Sequence, residues 1–257
     1  MSELTQIGLV AVIFLVLLIG GMWIPFAISI AAILYILIAS GVPGLYGLGL
    51  VSWGSTYSFI LTAIPLFVLM TELLLVSGLS TRVYRGVNHL VRFLPGGLLQ
   101  TNIAGSAMFA AISGSSVATA AAIGSIALPQ LKERNYSDGM SAGTVVAGGT
   151  LGILIPPSIA FIIYGMFTDT SIARLFLAGV LPGIVLMLLF MLYVAVMSLL
   201  RPGIAPKGDA RQSGGVPWSS IFHDLFPVSS LILLIMGSLY LGFATPTEAA
   251  AVGAKSP

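Results

Sequence analysis

Apolar residues along this chain gather in runs long enough to cross a lipid bilayer. The first run covers residues 7–19, and a second run ends at Ile38, with a glycine pair at residues 20–21 between them. A membrane span needs about 20 apolar residues, so together the two runs are too long for one helix. They predict two helices joined by a tight turn, and a third span is predicted from Phe59 to Val76.

A semi-polar stretch follows the third predicted span. Arg82, Arg85, His89 and Arg92 recur in it at short intervals, and it ends at Pro95. Charged residues alternating with apolar ones are typical of a helix that lies in the membrane interface. We therefore expect an amphipathic arm here.

Two later apolar segments are interrupted by polar or helix-breaking residues. Residues 98–131 contain a Ser-Gly-Ser-Ser sequence at 113–116, which predicts two half-length helices around a polar tip. Each arm holds only about 15 apolar residues, a length that favours a re-entrant hairpin over two full crossings. Residues 140–165 contain Gly148, Gly149, Gly152 and a proline pair at 156–157. They predict a helix that breaks inside the membrane.

The last third of the chain returns to long apolar helices. A long helix is predicted over residues 173–200 and a final span over residues 225–243, with a polar loop over residues 201–223 between them. Trp218 and Phe222 in this loop suggest a second amphipathic arm.

Composition removes the soluble classes of protein. Hydrophobic residues make up 58% of the 257 residues and charged residues 7%, and the mean hydropathy is +1.09, whereas soluble domains carry about 25% charged residues. Cysteine is absent, and protease, hydrolase and P-loop motifs are missing. No basic stripe suits nucleic acid. The sequence predicts a membrane protein that is not an enzyme and draws its energy from an ion gradient.

Positively charged residues predict an orientation, because short cytoplasmic loops are enriched in Lys and Arg. With the N-terminus outside, and without a cleavable signal peptide, one side of the membrane receives eight of them: Arg82, Arg85, Arg92, Lys132, Arg134, Arg201, Lys207 and Arg211. The other side receives Arg174 and Lys255. This asymmetry predicts a periplasmic N-terminus.

The two interruptions are the candidate site. Irregular backbone at membrane depth survives only where it is buried in protein or lines a cavity. At the first interruption Ser113, Gly114, Ser115, Ser116 and Thr119 offer a turn, hydroxyl ligands and the N-terminal amides of the following helix. A tip of this kind can hold a cation and an anion together.

At the second interruption, carbonyl oxygens are freed from helical hydrogen bonds. Pro156 and Pro157 have no N–H to donate, so carbonyls around Gly152 and Ile155, together with Ser158, become possible cation ligands. Two simpler readings stay open, a capped helix-loop-helix turn at the tip and a proline kink. The two breaks occur in neighbouring segments of membrane length, and this combination favours a transport site. Glu72, an acidic residue inside the third span, is a weaker candidate.

Four segments resemble the large membrane subunit of TRAP (tripartite ATP-independent periplasmic) transporters, the C4-dicarboxylate and sialic acid permease family. They are GLLQTNIAGSAMFAAISGSS (97–116), GTLGILIPPS (149–158), LFLAGVLPG (175–183) and ATPTEAAAVG (244–253). The resemblance implies an all-α polytopic protein of the ion-transporter superfamily, located in the bacterial inner membrane. It further implies sodium symport of an organic acid anion by an elevator motion.

The resemblance also implies partners and a ligand set. The expected partners are a small four-helix membrane subunit (Q type) and a periplasmic substrate-binding protein (P type). Carried over residue by residue, the coupling sodium ion falls on the hydroxyls of Ser113 and Ser116 and on the carbonyls of Gly152, Ile155 and Pro156.

The implied organisation is that of a first inverted repeat. Scaffold helices occupy residues 1–79, an interfacial arm 80–97, the re-entrant hairpin 98–131 and the broken helix 138–166. A scaffold helix, a cytoplasmic loop or arm and the start of a second repeat occupy residues 172–257. Because the family has two repeats, this chain is expected to be truncated. The alternative function is a non-transporting membrane fragment with a structural role only.

Overall fold

The computed structural model describes residues 3–201, 203–206 and 218–255, and the described residues contain helices and no strand. The first helices are α1 (Glu3–Ile19), α2 (Ile24–Thr56), α3 (Ala63–Val76, preceded by a 3-10 turn at Phe59–Thr62), α4 (Leu79–Val91), α5 (Leu98–Ser113) and α6 (Ser116–Glu133). They are followed by α7 (Asp138–Leu154), α8 (Ile159–Phe167), α9 (Ile172–Leu200), α10 (Trp218–Tyr240) and α11 (Pro246–Lys255).

Five stretches of the described residues are long and apolar enough to cross a membrane. They are Ile24–Gly54, Phe59–Val76, Asp138–Phe167, Ile172–Leu200 and Trp218–Tyr240, with Thr5–Ile19 as a shorter apolar helix. This confirms an all-α polytopic membrane protein. Helices α5 and α6 are not among the five, because α5 has only 16 residues and the last turn of α6 contains Lys132 and Glu133.

Residues 3–58 form one compact unit, made of α1 and α2. The Gly21 backbone has φ +79°, and the Met22 amide bonds back to the Leu17 carbonyl at 3.1 Å, which ends α1 in a tight left-handed turn. The predicted pair of helices is confirmed. The second helix does not end at Ile38, as the sequence suggested, but continues to Thr56 across a bend at Gly41.

Residues 59–255 form the second unit, and α5 lies at its centre. Fourteen of the 16 residues of α5 are buried, against α4, α6, α7, α9 and α3. A helix surrounded on all sides needs little amphipathicity, because it has no solvent-facing stripe. This explains why its polar residues are distributed around the helix.

Helices α5 and α6 form the predicted hairpin. The α5 end at Ser113 and the α6 start at Ser116 confirm two short helices around a polar tip. At the opposite end, the Leu98 amide donates a hydrogen bond to the Tyr136 hydroxyl at 3.2 Å. The hairpin therefore begins and ends at the same place, which a re-entrant hairpin and a pair of full crossings have in common.

Helices α7 and α8 are the two halves of the predicted broken helix, with residues 155–158 between them. Helix α4 confirms the predicted amphipathic arm, with Val83, Tyr84 and Val87 buried. The loop prediction for residues 201–223 needs correction at its end: Trp218 and Phe222 lie in α10, continuous with the span, because the apolar spacing extends back to Trp218. Lys207 and Arg211 lie outside the described residues.

Candidate ion and solute site

The hairpin tip is an ordered turn built from hydroxyls and a left-handed glycine. Gly114 has φ +58°, a conformation that glycine adopts without steric cost. The Ser115 hydroxyl caps α6 by accepting a hydrogen bond from the Ala118 amide at 3.4 Å. The Ser113 hydroxyl lies 2.7 Å from the Thr119 hydroxyl. The N-terminal amides of α6 therefore point toward a cluster of neutral oxygens.

Ser116 differs from the other tip residues. It is half-buried at the first position of α6, and its hydroxyl has no hydrogen-bond partner within the described part of the chain. An oxygen in this state is available to a ligand. Ser113, in contrast, is 1% exposed and already bonded within the tip.

The break between α7 and α8 frees carbonyl oxygens, as the sequence predicts. In an α-helix the carbonyl of residue i accepts from the amide of residue i+4. Pro156 and Pro157 cannot donate, so the carbonyls of Gly152 and Ile153 lose these donors. The Ser158 hydroxyl replaces one by donating to the Ile153 carbonyl at 2.6 Å. No described residue donates a hydrogen bond to the Gly152 carbonyl.

The tip and the break meet directly. The Ile159 amide, the first of α8, donates a hydrogen bond to the Gly114 carbonyl at 3.2 Å. A Cβ on Gly114 would come within 2.5 Å of the Pro157 carbonyl oxygen, and one on Gly152 within 2.6 Å of the Ser115 carbonyl oxygen. Two irregular segments roughly 40 residues apart in sequence thus form one junction, which we call the tip–break junction (residues 113–119 and 152–158).

The remaining candidate residues have defined places. The Ile155 side chain lies against α9, where a Cβ on Gly183 would meet its Cγ1 at 2.8 Å. Pro156 and Pro157 are buried beside it. Glu72, the weaker candidate, is exposed on α3 and is not part of the junction.

The junction is electrically neutral. Throughout the described ranges, no three His, Cys, Asp or Glu side chains gather to hold a metal ion. Its donors are hydroxyl and carbonyl oxygens, and the N-termini of α6 and α8 add partial positive charge. Neutral oxygens suit a hard monovalent cation, and helix N-termini suit an anionic group.

A buried polar chain near the start of α5 escaped sequence analysis. The Tyr84 hydroxyl donates to the Asn102 amide oxygen at 2.8 Å, and the Asn102 amide nitrogen donates to the Thr144 hydroxyl at 2.9 Å. These bonds connect α4, α5 and α7. Burial raises the pKa of Tyr84 far above its ordinary value, so the phenol keeps its proton. Only the tertiary fold identifies these partners, because single polar residues at these positions form no motif.

Two glycines of α9 were also missed. A Cβ on Gly179 would lie 2.7 Å from the Leu154 carbonyl oxygen, so Gly179 and Gly183 together make room for the broken helix. Their four-residue spacing is the small-residue pattern of close helix packing in membranes. That pattern could have identified this contact from the sequence.

Comparison with known protein families gives one clear match. Residues 11–256 match the family described as the tripartite ATP-independent periplasmic transporter, DctM component.

Curated relatives agree with this match. The isethionate TRAP transporter permease protein DctMQ of Oleidesulfovibrio alaskensis is 35% identical over 94% of this chain and 37% of its own length. The C4-dicarboxylate TRAP transporter large permease protein DctM of Pseudomonas aeruginosa is 38% identical over 76% of this chain and 45% of its own length. The sialic acid TRAP transporter large permease protein SiaM of Vibrio cholerae is 31% identical over 92% of this chain and 54% of its own length. The chain thus spans about half the length of the curated relatives it matches.

Proposed function

Because the chain belongs to the DctM family of tripartite ATP-independent periplasmic transporter components, we propose that it works in the large permease subunit of a sodium-coupled importer of an organic acid anion. The relatives are named as permeases for isethionate, C4-dicarboxylates and sialic acid. A C4-dicarboxylate or a sialic acid is accordingly the proposed substrate class. The relatives are transporters and not enzymes.

The observation that carries this proposal is the tip–break junction. We assign the coupling sodium ion to the hydroxyls of Ser113 and Ser116 and to the carbonyls of Gly152, Ile155 and Pro156. The donor set fits sodium, since unwound backbone carbonyls coordinate this ion in transporters. Among the described residues, neither the Gly152 carbonyl nor the Ser116 hydroxyl has a hydrogen-bond partner, and this supports the assignment.

An anionic solute fits the same junction. Helix α6 begins at Ser116 and α8 at Ile159, so the positive ends of two helix dipoles are available to a carboxylate. A sodium ion beside them would add a full positive charge. Sodium and substrate would therefore favour each other's binding, which is the thermodynamic requirement for symport.

We propose that the hairpin and the broken helix, residues 98–131 and 138–166, move together as the transport domain of an elevator mechanism. Their packing supports this: three glycines of α7 lie so close to the hairpin that an added Cβ would clash, namely Gly148, Gly149 and Gly152. A contact of this closeness holds the two segments as one body.

The proposed setting is the bacterial inner membrane with a periplasmic N-terminus. The start of α5, the end of α6, the start of α7 and the end of α9 meet on one side. There the Leu98 amide donates a hydrogen bond to the Tyr136 hydroxyl, and the Ser137 amide donates one to the Ile204 carbonyl at 3.2 Å. Lys132, Arg134 and Arg201 belong to this side, as the positive-inside rule favours. The proposed partners are a small four-helix membrane subunit and a periplasmic substrate-binding protein.

A sodium titration tests the junction first. The thermal unfolding midpoint of the purified chain in detergent should rise with sodium chloride and stay level with potassium chloride at equal ionic strength, because a ligand stabilises the state that binds it. Equal responses to the two salts would contradict the sodium site.

Uptake then tests coupling. Proteoliposomes carrying the polypeptide that contains this chain, the small subunit and a substrate-binding protein should accumulate labelled substrate only with an inward sodium gradient. Uptake without sodium would contradict symport. Sodium binding without uptake would favour the alternative of a non-transporting fragment.

A further inference from the structure

The arm helix α4 carries its positive charge on one face. Arg82, Arg85, His89 and Arg92 follow each other at intervals of three, four and three residues, a spacing that places them along one side of an α-helix. From Arg82 to Arg92 this side is about 15 Å long. Val83, Tyr84 and Val87 occupy the opposite side and are buried.

These arginines have no acidic partner among the described residues. Arg82 and Arg85 are exposed and Arg92 is half-buried, and none of the three forms an ion pair with a described residue. The carboxylate of Asp224 approaches the arm; Asp224 is 8% exposed and packs beside Gly86, where a Cβ would meet the Asp224 Cβ at 3.2 Å. The basic side of α4 therefore keeps an excess of positive charge.

The pKa of His89 is affected by the same arginines. Burial lowers its pKa most, and Arg92 and then Arg85 lower it further, with Asp224 acting in the opposite direction. A nearby cation disfavours a second positive charge. At His89 the effect of Arg92 exceeds that of Asp224, so the side of α4 that carries the arc of Arg82, Arg85 and Arg92 is electropositive at this residue.

Large apolar side chains border this arc. Phe93 is 70% exposed and Leu90 is 37% exposed at the C-terminal end of α4. The arm follows α3 after a turn at Gly78, so it begins where a membrane span ends. Arginines beside exposed aromatic and aliphatic groups at a span's end fit the boundary between lipid headgroups and acyl chains.

We propose that the arc of Arg82, Arg85 and Arg92 binds the phosphate groups of anionic phospholipids at the membrane surface. Guanidinium groups donate paired hydrogen bonds to phosphate oxygens, and juxtamembrane basic residues are attracted to anionic leaflets. Arm and hairpin are joined by the Thr101 hydroxyl, which donates to the Asn88 amide oxygen at 3.1 Å. Lipid headgroups bound here hold the arm, and through it the start of α5, at the membrane surface.

A tryptophan placed in the arm can test which lipid surrounds it. The native Trp23, Trp53 and Trp218 are each more than 70% exposed, so phenylalanine can replace them with little loss of packing. Phe93→Trp then supplies the single indole within these 257 residues. The protein is placed in nanodiscs of phosphatidylcholine with a minor fraction of phosphatidylglycerol. Two samples are compared: in one the phosphatidylglycerol carries bromine as the quencher, and in the other the phosphatidylcholine carries it.

Brominated phosphatidylglycerol should quench the indole introduced by Phe93→Trp more than its bulk fraction predicts. The triple variant Arg82→Gln, Arg85→Gln, Arg92→Gln should reduce this preference, expressed as the ratio of the association constants of the two lipids, by about fivefold for each arginine removed and by up to roughly a hundredfold in all. The matched control Arg174→Gln, also an exposed arginine but outside the arm, should leave it unchanged. Equal quenching by both lipids in the parent protein, or an unchanged preference in the triple variant, would overturn the proposal.

Two further measurements keep the test decisive. The triple variant Arg82→Lys, Arg85→Lys, Arg92→Lys retains charge and should retain most of the preference. Inorganic phosphate at matched ionic strength should not displace the lipid; displacement would assign the arc to a free anion instead. Should the triple Gln variant fail to fold, Arg82→Gln and Arg85→Gln are measured singly, and each must lower the preference for the proposal to stand.

Discussion

Gly152 lies directly against the backbone of Ser115. A Cβ on Gly152 would be 2.6 Å from the Ser115 carbonyl oxygen and 2.9 Å from the Ser116 amide nitrogen, and backbone atoms cannot move aside as a flexible side chain can. The hairpin tip reaches the broken helix only because this position has no side chain.

Gly152→Ala should therefore separate the tip from the break. We expect the free energy of unfolding to fall by about 1–3 kcal/mol, the usual cost of overpacking, and the sodium-dependent rise of the unfolding midpoint to be lost. The measurement is thermal unfolding in detergent with and without sodium.

Gly143→Ala is the matched control for that change. Gly143 is in the same helix, and a Cβ there would meet nothing within 4 Å. Alanine should increase stability by up to about 1 kcal/mol because it is the better helix former. If Gly152→Ala also increased stability and kept the sodium response, helix propensity would outweigh the contact with Ser115 and the proposed role of Gly152 would be wrong.

Ser116→Ala should weaken sodium binding without disturbing the fold. It removes a proposed hydroxyl ligand but leaves the α6 cap, which Ser115 supplies. We expect about a tenfold loss of sodium affinity, the order of one interaction with a charged group, measured by sodium titration of the unfolding midpoint.

Thr150→Ala controls for the loss of a hydroxyl. Thr150 is exposed on α7, and its hydroxyl donates to the Ala147 carbonyl of the same helix. The sodium affinity of this variant should equal that of the parent. An unchanged affinity in Ser116→Ala would remove Ser116 from the site.

Tyr84→Phe should destabilise the packing of the arm on the hairpin. The Asn102 amide oxygen would lose its buried donor, at a cost of about 1–3 kcal/mol. Tyr193→Phe, at an exposed position of α9, should change stability little. Equal unfolding midpoints for the two variants would show that the Tyr84–Asn102 bond contributes nothing.

Acid should weaken the start of α11. The Thr245 amide and hydroxyl donate to the Glu248 carboxylate at 2.7 and 2.9 Å, and these bonds lower the pKa of Glu248 below 4.5. Since the folded pKa lies below the unfolded one, the contribution to stability is fully present above about pH 4.5 and is lost as the pH falls through the lowered pKa.

Glu248→Gln gives the comparison for this pH effect. Its amide keeps the shape of the capping box but cannot titrate. Unfolding midpoints between neutral and acidic pH should fall less steeply in this variant than in the parent. Parallel pH profiles would show that Glu248 does not contribute to acid sensitivity.

Several elements were visible in the sequence because their signals are local. Apolar runs predict the spans, the proline pair at 156–157 predicts the end of α7, and the Ser-Gly-Ser-Ser tip predicts the two short helices. Each of these signals acts within about one helical turn, where backbone hydrogen bonding and side-chain spacing determine the result.

Local signals were less reliable where a helix tolerates an irregularity. The apolar run predicts that the second helix ends at Ile38, but α2 bends at Gly41 and continues to Thr56. Likewise α10 begins at Trp218, within the predicted loop and arm. In both places an apolar segment continues beyond the residues that predict a helix end or a loop.

By itself, the sequence determined that the chain is an all-α membrane protein with a polar hairpin tip and a broken helix, and it supplied the neutral oxygens for the proposed sodium site. Only the tertiary structure decided that the tip lies against the break, with Gly152 beside Ser115, and that Tyr84 and Thr144 meet at Asn102. Such contacts join residues distant in sequence and depend on close packing of whole helices. No local pattern of hydrophobicity or propensity encodes them.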